Sequence, residues 1–288
     1  MIRLALLLSL LLPASALAQT EVLLVHEAKC ADLLGESSTF EASGVTLKDD
    51  QFYVVFDNDD RVARIDLELS RGELVGQKNS GSDHEGITWD PVRERFYVVI
   101  EAQFTGLTMQ PVMVELDAEL KALTHHEIPF DLDRPNKGGE GVAWFEHEGD
   151  SHVLLLLEGK EARDHGLALV MRFAGADLVP VASLALTPMA TFKDHAGIAY
   201  LDGQLAVVSQ SSAKIWVGSL DTSTWTVDEG RIYHFPLEDG QVAYGNIEGV
   251  VWLNERTIAC VSDQPKAKYP EHEAKGESIH VFRIPDSP

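Results

Sequence analysis

Apolar positions in this chain fall in short runs separated by brief polar turns, and no segment of useful length holds the period of an amphipathic helix. One phrase recurs five times: a glycine, a strand of aliphatic and small residues, a polar turn, then a denser β-branched and aromatic run. The copies are "EASGVTLKDDQFYVVFDN" from Glu41, "DHEGITWDPVRERFYVVIEAQ" from Asp83, "GGEGVAWFEHEGDSHVLLLLEGK" from Gly138, "DHAGIAYLDGQLAVVSQ" from Asp194 and "NIEGVVWLNERTIACVSDQ" from Asn246. Their glycines, Gly44, Gly86, Gly141, Gly197 and Gly249, stand 42, 55, 56 and 52 residues apart. A third alternating strand follows each hairpin ("RVARIDLEL", "VMVELDAEL", "LALVMRFAG", "KIWVGSLD", "SIHVFRIP"), and a weaker fourth follows in several units, as in "ELVGQKN" and "LVPVASLAL". Four strands per unit at this period predict an all-β, five-bladed β-propeller. The fifth unit lacks a fourth strand of its own, while "TEVLLVHEA" lies unclaimed before the first. That strand is predicted to complete the last blade and close the ring, leaving no open sheet edge there.

The start of the chain sets the compartment. "MIRLALLLSLLLPASALA" has a basic residue, a leucine-rich run and a small-residue close, the pattern of a Sec-type signal peptide cleaved after Ala18. The run is short for a membrane anchor. Residues 1–18 are thus expected to be a signal peptide and 19–288 a single propeller domain, periplasmic or secreted. No later stretch is long and apolar enough for a membrane span. The 46 acidic residues against 23 basic ones give a net charge of -23, which repels nucleic acid and anionic lipid. The two cysteines, Cys30 and Cys260, would tie the beginning of the mature chain to its end if they paired; two separately buried thiols satisfy the sequence nearly as well.

Candidate chemistry lies at the two ends of each hairpin. In a propeller the first strand of a blade lines the central channel and the second runs antiparallel to it, so the start of one and the exit of the other share a channel mouth. The residues before the five glycines are Ser43, Glu85, Glu140, Ala196 and Glu248; those at the second-strand exits are Asp57, Glu101, Glu158, Ser209 and Asp263. Carboxylates crowded around one mouth repel unless something lies between them. Oxygen donors without His or Cys suit Ca2+. Glu85, Glu140 and Glu248 are the candidate metal ligands, with Glu101, Glu158 and Asp263 beside them. The competing reading makes each pre-glycine acid a cap on neighbouring backbone and each exit acid an ordinary turn residue.

His84 and His195 hold equivalent places in "DHEG" and "DHAG", where they are either bases near the mouth or, more commonly for such repeats, packing against the next blade. His125 and His126 read as surface residues. The loops "EAQFTGLTMQP", "EGKEARDHG" and "DQPKAKYPEHEAKGES" should rise on the mouth face, bringing Lys160, Arg163, Lys266, Lys268 and Lys275 there as solvated charges or as partners for an anionic ligand. There is no G-x-S-x-G elbow, and "NKGGEG" lacks the ending of a phosphate loop.

The ordered series "SG", "DHEGI", "NKGGEG", "DHAGI" and "IEGV", with the exits "FDN", "IEAQ", "LEGK", "VSQ" and "VSDQ", resembles the SdiA-regulated family of exported bacterial propellers over roughly Glu41 to Ile284. That resemblance implies a five-bladed propeller distantly similar to NHL-repeat proteins, with a calcium site and no established activity. Ala196 stands where the resemblance leads one to expect Ser. A weaker similarity is to esterase-like phytase propellers. The reading that follows is a monomeric, exported, Ca2+-binding module for a small-molecule or protein ligand at the channel mouth. The alternatives are a calcium-dependent hydrolase of a phosphate ester or lactone, and a purely structural scaffold.

Overall fold

A computed structural model describes residues 21–76, 83–105, 108–130, 132, 137–158, 166–189, 191–265 and 269–286. The expected signal peptide, Lys160, Arg163, Lys266 and Lys268 lie outside the described residues. Five antiparallel blades form a propeller. Blade 1 comprises Ala42–Lys48, Gln51–Phe56, Val62–Asp66 and Gly72–Val75; blade 2 comprises His84–Asp90, Arg95–Thr105, Thr108–Leu116 and Ala122–Glu127. Blade 3 comprises Gly139–His147, Asp150–Leu157, Leu167–Ala174 and Asp177–Ala185. Blade 4 has Gly197–Leu201, Gln204–Ser209 and Lys214–Asp221, with an outer edge divided between Thr226–Val227 and Arg231–His234. Blade 5 has Ile247–Asn254, Thr257–Ser262 and Ser278–Arg283, and its outermost strand is Leu23–Lys29 from the start of the chain. Leu23 lies opposite Arg283 and Lys29 opposite Ser278, the closure that the unclaimed strand predicted.

The dense apolar runs follow from burial on both faces. In blade 1, Phe52, Val54 and Phe56 pack toward blade 5, while Tyr53 and Val55 pack toward blade 2. In blade 2, Phe96, Val98 and Ile100 face blade 1, while Tyr97 and Val99 face blade 3. Among the described residues the buried side chains form five clusters, one in each gap between successive blades. The same alternation separates the cysteines. Cys260 points into the gap between blades 4 and 5, and Cys30 sits in the gap between blades 5 and 1. Both are buried free thiols, and burial pushes that of Cys30 up to about 12.

The five anchor glycines meet around the channel. A Cβ on Gly44 would lie 2.7 Å from the Gly86 Cα, one on Gly86 2.8 Å from the Gly141 Cα, and one on Gly141 3.2 Å from the Gly197 Cα. On Gly197 it would strike the Glu248 carbonyl at 2.2 Å, and on Gly249 it would come within 2.9 Å of the Gly44 Cα. The innermost strands approach so closely here that only glycine fits.

Two expectations are corrected. His126 is buried, 3.2 Å from the Glu115 carboxylate, because the fourth strand of blade 2 turns that face inward. "EAQFTGLTMQP" is not a loop: the second and third strands of blade 2 continue past a bulge, pairing Gln103 with Gln110 and Phe104 with Met109. A small hairpin, Leu237–Glu238 with Gln241–Val242, is inserted between blades 4 and 5.

Candidate metal and ligand site at the channel mouth

Backbone hydrogen bonds join the two ends of the hairpins as expected. The Asp57 N–H donates to the Glu41 carbonyl (2.8 Å), Glu101 to Asp83 (3.1 Å), Glu158 to Gly138 (2.8 Å) and Asp263 to Asn246 (2.9 Å). In blade 4 the same closure uses side chains, with Ser209 Oγ donating to Asp194 Oδ1 at 2.6 Å.

A feature the sequence does not display re-aims the pre-glycine residues. The register of the first hairpin slips between Ala42 and Gly44, His84 and Gly86, Gly139 and Gly141, and Ile247 and Gly249. Ser43, Glu85, Glu140 and Glu248 are therefore the extra residues of four β-bulges, a device that redirects a side chain from the ladder. Blade 4 shows no such slip, and its strand starts at Gly197 itself.

The four bulge residues have different fates. Ser43 is fully buried and donates to the His84 carbonyl of the next blade, which makes it a cap. Glu248 accepts a hydrogen bond from the Gln210 amide of blade 4. Glu85 and Glu140 are driven well above the ordinary carboxyl range, first by burial and then by like charge. For Glu85 the repelling groups are Glu101, Asp57, Asp83 and Asp263; for Glu140 they are Glu85, Glu158 and Glu101, relieved in part by Lys137. Glu140 Oε1 is sealed from solvent without a hydrogen-bond partner among the described residues. Glu101, half-buried, is pushed up to about 7 by burial and by Asp83, with Lys137 pulling the other way. Asp57 is raised by burial, then by Asp83 and Glu41.

The structure thus brings Glu85, Glu140 and Glu101 into one repelling group that also feels Glu158 and Asp263. Glu158 is paired with Lys137, and Asp263 accepts from the Gln264 N–H. Sequence reasoning gave no role to Asp83, Lys137 or Gln210. Hard oxygen donors and a stranded carboxylate oxygen fit a Ca2+ ion chemically. Among the described residues, however, no three His, Cys, Asp or Glu side chains are gathered closely enough to enclose a metal as they stand.

The histidines pack against the preceding blade. His84 is buried beside Val55 and Val62 of blade 1, and desolvation lowers its pKa. The His195 ring lies over Gly166 of blade 3, where a Cβ would meet it at 2.5 Å.

Lys275 is not a free cation at the mouth. Its Nζ lies 2.5 Å from Glu27 Oε1 and 2.7 Å from Glu238 Oε1. Burial would lower the ammonium pKa, but hydrogen bonds to Glu238 and Glu27 hold it raised. Glu27 also accepts from His280 Nδ1 at 3.1 Å, and His280 Nε2 lies 3.1 Å from Ser262 Oγ. This Ser–His–Glu chain has the connectivity of a nucleophile relay. Ser262 is nevertheless only 1% exposed, and its hydroxyl donates to the Lys275 carbonyl at 2.5 Å. A substrate cannot reach it. The chain fastens the first strand to the last.

No protein-family model matches the chain, and no curated protein matches it. Among solved structures it is similar to Myxococcus xanthus glutaminyl cyclase, at 11% identity and TM-score 0.56, covering 93% of this chain and 100% of that one. It is also similar to the GH43_1 enzyme from Xanthomonas citri complexed with xylose, at 12% identity and TM-score 0.56, covering 91% of each. At such identities the likeness is one of fold. No helix among the described residues is long and apolar enough to cross a membrane.

Proposed function

We propose that the protein is an exported propeller that binds Ca2+ at its channel mouth and presents that face to a small-molecule or protein ligand, as its resemblance to the SdiA-regulated family implies. The observation that carries this reading is the stranded Glu140 Oε1 beside Glu85, in a group whose carboxyls repel one another. Glu85 and Glu140 supply two donors, and the half-exposed Glu101 beside them supplies a third. Glu248, Glu158 and Asp263 already have partners and flank the ion.

The pH dependence of stability tests this. A carboxyl raised in the folded state holds a proton that the unfolded chain has released, so stability falls as pH rises through that interval. For Glu101 the interval runs from 4.5 to about 7, and Glu85 and Glu140, also raised, act in the same direction. Discounted for solvent screening, the Glu101 shift amounts to roughly 1–2 kcal/mol, or about 2–8 °C in Tm. In chelator, the melting temperature should fall between pH 5 and pH 8, and Ca2+ should abolish the fall. A flat profile in chelator, unmoved by Ca2+, would count against the site.

In the second reading Glu101 stays off the cation, and a carboxyl raised to about 7 in the metal-free protein has the property a general base needs for a calcium-dependent hydrolase of phosphate esters or lactones. Turnover of such model substrates in Ca2+, lost in Glu101→Gln, would establish it; no turnover leaves the binding module.

A further inference from the structure

Blade 4 departs from the repeat at the mouth. It offers Ala196 and Ser209 where blades 2, 3 and 5 present acids, and beside it a cavity of about 470 Å3 opens between blades 4 and 5. That volume lies within the range of sites for small organic ligands. Gln210, which donates to Glu248 at the mouth, also lines this cavity.

Two of its polar side chains are built in rather than solvated. Asn246 and His272 are 3% and 6% exposed. The Asn246 amide donates to the Gln264 carbonyl, which turns its Oδ1 toward His272 Nδ1 at 3.3 Å. Nδ1 therefore carries the hydrogen, and Nε2 is left as an acceptor with no hydrogen-bond partner among the described residues. Burial lowers the pKa of the ring, in keeping with the neutral form. Gly245 makes the room, because a Cβ there would lie 2.0 Å from the imidazole. The rim carries the exposed Tyr269 ring, stacked on His272 with centroids 5.2 Å apart, and Val242.

Among the described residues that line the cavity one is a cation, Lys193, and one an anion, Glu271, and neither forms an ion pair with the other or with another described residue. An unpaired cation and an unpaired anion on the wall of one cavity, with an imidazole acceptor and an apolar rim, suit a ligand with both charges and a hydrophobic substituent. We infer that this cavity binds a zwitterion, an L-α-amino acid or dipeptide with an apolar side chain, its carboxylate at Lys193 and its ammonium at Glu271 and His272 Nε2. The inference rests on the reading of this face as a ligand-binding one, but it does not need the cation.

Calorimetric titration of the full protein with L-leucine, L-phenylalanine and the dipeptide Gly-Phe, each in Ca2+ and in chelator, tests it. Saturable binding is expected for these probes, while acetate and methylamine, each carrying half the charge pattern, should give none. Lys193→Gln and Glu271→Gln, both at exposed positions, should each weaken binding about tenfold or more, a change of about 1.4 kcal/mol or more. Gly245→Ala should abolish it by displacing the His272 ring. No saturable binding by any of the three probes, or binding that survives both charge variants, would overturn the assignment. Binding of equal strength in Ca2+ and in chelator is expected, because the cavity does not need the cation; failure of Ca2+ itself to bind in a direct titration would count against the cation site alone.

Discussion

Gly86→Ala is expected to yield a protein destabilised by about 3 kcal/mol or more, or one that does not fold, although it adds a single methyl group. The added Cβ would lie 2.8 Å from the Gly141 Cα and 2.9 Å from the Val142 nitrogen. Both are backbone atoms of the neighbouring inner strand, so no rotamer change relieves the clash. Either blade 2 moves outward or the ring opens, and the cores in the flanking gaps lose contact together. Because Gly86 lies in an ordinary strand conformation, the whole cost is steric. Gly149→Asn provides the control. Gly149 occupies a left-handed turn (φ 83°) with no atom within 4 Å of an added Cβ, and Asn tolerates that region, so a small loss is expected. Urea melts of the two variants compare crowding with conformational freedom. Wild-type stability in Gly86→Ala would mean that the inner strands do not meet as described.

Glu27→Gln should be a costly charge removal, because it breaks the fastening between the first strand and the last. Glu27 holds Lys275 at 2.5 Å, accepts from His280 at 3.1 Å, and receives the Tyr244 hydroxyl at 3.3 Å. The His280 hydrogen bond, opposed by burial and joined by that of Lys275, keeps its carboxyl down at about 2. Losing one partner of a largely buried pair leaves the other charge uncompensated, although Glu238 still shields Lys275 in part. A loss of about 2–3 kcal/mol is expected, with the Glu27→Gln/Lys275→Met double variant recovering some of it. Since the folded-state pKa is depressed, the Glu27 contribution is present above its unfolded value of 4.5 and is lost as pH falls toward 2. This acid-side loss lies below the interval in which the mouth carboxyls act. An unchanged melting temperature in Glu27→Gln would show that the pairing of Leu23–Lys29 with Ser278–Arg283 closes the ring unaided.

The blades were legible in the sequence because a strand covered on both faces leaves an unbroken apolar run, and five such runs behind five glycines fix both the repeat and its number. The closure was legible because one strand was missing at the end and one was spare at the start. The convergence of Glu85, Glu140 and Glu101 followed from antiparallel geometry alone. The bulges were not legible: one extra residue before a glycine alters neither composition nor period, yet it decides where the Glu85 and Glu140 side chains point. Nor could spacing reveal that Lys137 neutralises Glu158, that Gln210 engages Glu248, or that Lys275 is taken up by Glu27 and Glu238, since each partner comes from another segment. Cys30 and Cys260 show the same limit. Each reads as buried, but only the alternation of Thr257–Ser262 within the assembled ring shows that they face different gaps.

Calorimetric titration of Ca2+ into the metal-free wild type and Glu140→Gln at pH 8 tests the central claim most directly. The account predicts saturable binding of one Ca2+ by the wild type and none by Glu140→Gln, whose metal-free form should melt higher than the metal-free wild type because one repelling charge is gone. A wild type that takes up no Ca2+, or a Glu140→Gln protein that melts lower while binding Ca2+ like the wild type, would contradict it and make Glu140 a backbone cap.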